Sequence, residues 1–188
     1  MTAILLFCIA EEAKPFVYQA MDTKVPNSDT GYFLLAETRA APGDQRLKQE
    51  LEKDETFETG FIGASEQDCQ AWAMEMQYRV NYIEQDIIAI LDARSARDGT
   101  VLLQCYVHEK FGLGEEGELG VFPEEAKRWY DFRIDIRYTF KMSVYFEDQM
   151  DWPVLFGLKE ELTDAHGVFD AAKAERICCG KEPGYDVV

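Results

Sequence analysis

The chain has 188 residues, 47% of them hydrophobic and 13% aromatic, with 36 acidic against 19 basic side chains and a formal net charge of −17. A chain of this length buries about 70% of its unfolded surface, so this composition supports a self-sufficient core and excludes disorder, collagen-like repeats and a disulfide-stapled mini-fold. The anionic excess repels phosphate backbones and anionic lipid surfaces, which argues against nucleic acid or membrane as a main partner.

The first element is an unbroken apolar run over residues 3–10, read as a buried strand or the first turns of a core helix. No Lys or Arg precedes it, Glu11 and Glu12 follow it, and eight residues are too few to span a bilayer, so a signal peptide or membrane helix is not expected. Residues 26–31 carry turn chemistry, and 32–38 read as a strand stopped by Ala41, Pro42 and Gly43. Residues 44–55 read as a charged helix with Leu47 and Leu51 on one face. Ser65 is placed to cap a helix over 66–84, where Cys69, Trp72, Ala73, Met76, Val80 and Ile83 recur at threes and fours.

Residues 87–91 and 101–107 are apolar runs joined by a loop ending in Asp98-Gly99, which predicts a hairpin. Residues 109–128, with four glycines and six glutamates, read as a mobile surface loop with a short helix after Pro123. Were there a pocket, this loop would be its lid, closing Phe111, Leu113, Leu119, Val121 and Phe122 over an apolar ligand. Residues 154–162 and 170–179 read as helices, the second capped by Asp170 and stopped by Gly180.

Residues 130–146 alternate without a break. Tyr130, Phe132, Ile134, Ile136, Tyr138, Phe140, Met142, Val144 and Phe146 take one face, and Arg133, Asp135, Arg137, Lys141 and Ser143 fall on the other. Period two predicts one antiparallel strand, half buried. Such a strand would be about 56 Å long, against a diameter of roughly 40 Å for a compact chain of this length, so strong curvature around a helix follows. The expected fold is therefore a single α+β domain over 1–188, with a strongly curved antiparallel sheet packed against helices. A cone-like sheet enclosing a small-molecule pocket, which resembles the nuclear-transport-factor-2-like architecture, is its most specific form.

Candidate chemistry is sparse. Five cysteines, Cys8, Cys69, Cys105, Cys178 and Cys179, show no disulfide framework and no Cys-x-x-Cys spacing. They read as small buried hydrophobes in a reducing, cytoplasmic compartment, with no metal site. Gly112, Gly114 and Gly117 match a dinucleotide-binding spacing, but Glu115 and Glu116 sit where a helix N-terminus should meet a pyrophosphate, so no cofactor is expected. Cys105 and His108 point to opposite faces of one strand, and His166 lies in a turn. Glu75 and Asp135 are the carboxylates placed where burial could raise a pKa for acid–base work.

The sharpest local signal is electrostatic. Residues 127–141 hold Lys127, Arg128, Arg133, Arg137 and Lys141 against only Asp131 and Asp135. Arg133, Arg137 and Lys141, with Asp135, form the candidate ligand-binding set, the two arginines offering bidentate donors to an anion. The structural alternative is that these cations pair with acidic neighbours. The functional expectation is a non-catalytic module that binds a basic protein partner or a small apolar or anionic ligand. The alternative is a cofactor-free isomerase or cyclase using the sheet's concavity, with a carboxylate or tyrosine moving the proton.

Overall fold

Strand β1 (Ala3–Cys8) is buried on both faces from Ile4 to Cys8, which is what a continuous apolar run demands and what a parallel neighbourhood supplies. A 3₁₀ turn at Glu11–Ala13 and helix α1 (Lys14–Met21) return the chain to β2 (Phe33–Leu35), which runs parallel to β1. Helix α2 (Glu66–Met76) leads to β3 (Ile83–Leu91), parallel to β1 on its other side. A short helix α3 (Ser95–Asp98) and the left-handed Gly99 (φ 70°) connect to β4 (Thr100–Val107). The computed structural model describes residues 3–25, 31–40, 47–52, 55–76, 83–108, 111–112, 121–122, 126–147 and 152–181.

Beyond β4 come a small antiparallel pair, β5 (Phe111–Gly112) with β6 (Val121–Phe122), then β7 (Arg128–Asp135). A 3₁₀ turn at Ile136–Tyr138 passes into α4 (Thr139–Glu147), followed by α5 (Trp152–Gly157), α6 (Lys159–Leu162) and α7 (Ala171–Cys178). The main sheet has the order β2-β1-β3-β4-β7. The fold is α+β, but the sheet is mixed rather than antiparallel, and it is not closed.

Two compact units divide within β4, Met1–Gln104 and Cys105–Val188. In the first, Phe7, Phe61 and Trp72 meet edge to face with centroids 4.8–5.7 Å apart. The second has its own aromatic nucleus. There Phe132 lies 4.9 Å from Phe146 and 5.2 Å from both Phe156 and Phe169.

The long strand expected over 130–146 ends at Asp135, and the cone built on it is not formed. Asp135 terminates the strand by accepting from the backbone N–H of Arg137 (2.9 Å), the cap that starts the following turn. From there the buried positions are Ile136, Thr139, Met142, Ser143 and Phe146, a helical stripe, while Val144 is 44% exposed. Two small hydroxyl residues hid that stripe. Thr139 donates to the Ile136 carbonyl and Ser143 to the Phe140 carbonyl (2.8 Å each), so each is buried with its hydroxyl satisfied.

The helix expected over 44–55 is absent from the described part, 47–52 and 55. Instead Lys48 forms a backbone bridge to Leu35 of β2, with Leu35 N–H donating to the Lys48 carbonyl at 2.9 Å. Its ammonium pairs with Glu55 and Glu37. Gly31 admits this crossing segment, because a Cβ there would stand 3.1 Å from the Gln49 carbonyl. Helix α2 starts as expected, with the Ser65 hydroxyl accepting from Asp68 N–H (3.1 Å) and the Asp68 carboxylate accepting from Ser65 N–H (2.9 Å). Residues 83–84, expected at that helix's end, belong to β3. Within the expected loop 109–128, residues 111–112 and 121–122 are paired strands. The rest of the proposed lid and the glycine motif beyond Gly112 fall largely outside the described residues.

Candidate functional site

Arg133 stands on β7, where its carbonyl accepts from Phe169 N–H at 2.8 Å. Arg137 lies past the strand, in the 3₁₀ turn, and Lys141 on α4, so the premise that both arginines share one strand face does not hold. The set is instead engaged inside the protein. Arg137 grips Asp135 with Nε at 2.9 Å from Oδ1 and Nη2 at 2.6 Å from Oδ2, and the Lys141 ammonium lies 2.6 and 2.7 Å from the two carboxylate oxygens of Glu175. Lys159 reaches Asp131 at 3.2 Å and sits over the Phe132 ring at 5.1 Å.

This pairing reverses one expectation. The guanidinium of Arg137 beside Asp135 outweighs the carboxylate's partial burial and lowers its pKa, so Asp135 is held ionised rather than raised toward general-acid duty. Glu75 is exposed on α2. Neither meets the burial that motivated its choice.

The thiols divide by depth. Cys8 and Cys69 are fully buried, and desolvation pushes their pKa values up to about 11 and about 12, which keeps them protonated and unreactive. Cys105 is buried on β4, while His108, just beyond that strand, is exposed. His166 sits in an exposed turn built on Asp164, whose carboxylate accepts from the N–H groups of His166 and Val168 (2.8 Å each). Cys179 is exposed at the end of α7, its sulfur 4.0 Å from the Tyr145 hydroxyl.

No family model, curated protein or solved structure matches this chain.

Two places escaped the sequence analysis. The first is the carboxyl edge of β1 and β3, the crevice where parallel sheets commonly take ligands because the chain leaves to opposite sides. Here that edge is internally tied. Ile9 N–H donates to Leu91 (2.9 Å), Gly63 N–H to Ile9 (2.8 Å), and the Asp92 carboxylate accepts from Arg94 and Ser95 N–H (3.0 Å each). The eight-residue apolar run was the available signal, since burial on both faces is the mark of a parallel strand. The second place is an aromatic group of Tyr106, His108 and Trp129 in the second unit. Trp129 lies more than twenty residues from the other two in sequence, and only the neighbouring position of β7 and β4 joins them.

Among the described residues no helix is long and apolar enough to cross a membrane, and no cluster of three or more His, Cys, Asp or Glu side chains is arranged to hold a metal ion.

Proposed function

We propose that this protein is a non-catalytic binding module whose acidic surface receives a basic protein partner. The observation that carries the reading is how the surface distributes its charge. Lysines in the first unit are outnumbered where they pair: Lys14 is shared by Glu11 and Glu58, and Lys48 by Glu37 and Glu55. Glu11 and Glu58 remain 64% and 94% exposed despite that pairing. Acidic residues exceed basic ones about two to one in each half of the sequence. Neutralised cations leave a surplus of solvated carboxylates, which accelerates encounter with a positively charged surface and suppresses acidic competitors. Five free cysteines support a reducing, cytoplasmic setting.

An isomerase-like reading needs a carboxylate kept protonated in an apolar concavity. The strand that would have formed the concavity stops at Asp135, and that carboxylate is ionised.

Native mass spectrometry of the protein drawn from its own cell extract tests the proposal. A stoichiometric complex with a net-basic protein is the expected result. A bound small molecule that the isolated chain converts to product would overturn it, as would a stoichiometric partner of net negative charge.

A further inference from the structure

The aromatic group in the second unit has a composition and setting that its packing role does not account for. Tyr106 lies on β4 and His108 just beyond that strand's end, two residues apart, the spacing that puts side chains on one face. Their ring centroids are 4.9 Å apart, and Trp129, on the neighbouring strand β7, is 5.4 Å from Tyr106. Trp72, by contrast, is 8% exposed within its aromatic nucleus. Tyr106 and Trp129 are half-buried and His108 is exposed, so this cluster meets solvent.

The segment entering β7 adds positive charge beside it. Lys127, two residues before Trp129, is exposed and stands in the left-handed region at φ 57°, its N–H donating to the Val107 carbonyl at 2.6 Å. A lysine pays a steric penalty in that conformation that glycine would not. Lys127 makes no ion pair among the described residues. Arg128 follows, its guanidinium 5.0 Å from the Tyr130 ring centroid.

We propose that Tyr106, His108 and Trp129 form a stacking site for a planar organic anion, with the ammonium of Lys127 meeting the anionic group. The rings supply flat polarizable faces that accept any planar π-system. Lys127 and Arg128 bring two cations to the start of β7 in a chain of net charge −17. A small anion responds to charges within a screening length of about 8 Å, whereas a polyanion responds to the whole molecule. The site therefore selects small planar anions and rejects nucleic acid. It is separate from the acidic surface proposed for the protein partner, and either can fail without the other.

The test is an NMR titration of the full chain, following the Trp129 indole N–H, with adenosine 5′-monophosphate, 1-naphthoate, adenosine and inorganic phosphate as probes. Saturable shifts with one or both ring-bearing anions are expected, and which one binds more tightly distinguishes a phosphate ester from an aromatic carboxylate as the ligand type. Adenosine should bind on the order of tenfold more weakly than its monophosphate, and inorganic phosphate should leave the signal unmoved. Lys127→Gly keeps the left-handed backbone and removes the ammonium, so it should weaken the ring-bearing anions by on the order of tenfold and leave adenosine unchanged. Arg137→Ala, which removes the partner of Asp135, should leave binding intact. The proposal is overturned if neither ring-bearing anion gives a saturable shift, or if Lys127→Gly binds both as wild type does. Binding that survives in a folded Trp129→Ala variant, followed by the ligand's own signals, overturns it equally.

Discussion

At the scale of single residues, chemistry here is governed by what each ionisable group touches. Cys8 and Cys69 have pKa values raised by burial to about 11 and about 12, while Cys179 is exposed. Treatment of the folded protein with an aromatic disulfide reagent should therefore label Cys179 first, with Cys8 and Cys69 reacting only as fast as the protein opens. Peptide mapping by mass spectrometry reads this directly, and early labelling of Cys8 would contradict the burial assigned to it. Asp135 gives a pH prediction. Its folded pKa is lowered by Arg137, so its stabilising contribution is complete above the unfolded value of about 3.9 and is lost as pH falls through the depressed folded value. Melting temperatures measured from pH 6 downward should fall less steeply for Asp135→Asn than for wild type. Ser65 acts through hydrogen bonding alone. Ser65→Ala removes the acceptor for Asp68 N–H and should cost about 1 kcal/mol in denaturant unfolding, with an unchanged m-value.

At the scale of elements, the instructive segment is 136–147. Period-two alternation of apolar side chains was complete there, yet the chain turns at Asp135 and continues as a helix. Alternation identifies a strand only if polar residues stay outside, and Thr139 and Ser143 escape that condition by bonding backbone carbonyls three residues earlier. The two descriptions predict opposite mutational patterns. In the helix Ser143 is 2% exposed and Val144 is 44% exposed, so Ser143→Asp should destabilise by at least about 2 kcal/mol and Val144→Asp by less than about 0.5. A strand would reverse the order, and thermal unfolding of the two variants decides between them.

Elsewhere local signals were sufficient. The Ser65 cap, the Asp170 cap and the left-handed Gly180 (φ 63°) are where their chemistry placed them, because each acts within a few residues. Over residues 47–52, Leu47 and Leu51 mimic a helical face, while the deciding contact, Lys48 with Leu35, comes from a distant strand. Parallel pairing of β1 with β2 and β3 was illegible for the same reason, although the unbroken apolar run already carried its mark. Of the candidate anion set, the residues were legible as a cationic stretch. Their local neutralisation depended on a turn at Asp135 and on Glu175, 34 residues beyond Lys141.

At the scale of the whole molecule, the acidic excess is shared by both halves of the sequence rather than confined to a tail. Ion pairs at exposed positions add little stability, and under the proposed function the surplus carboxylates act through long-range attraction rather than in holding the fold. The most direct measurement is the association rate constant with the partner that accompanies the protein from its cells, determined by stopped flow across ionic strength. Electrostatic steering predicts a fall on the order of tenfold or more between about 0.01 and 0.15 M, with the dissociation rate nearly constant. A rate constant that stays flat across that range would contradict the assignment of the acidic surface as the partner's docking face.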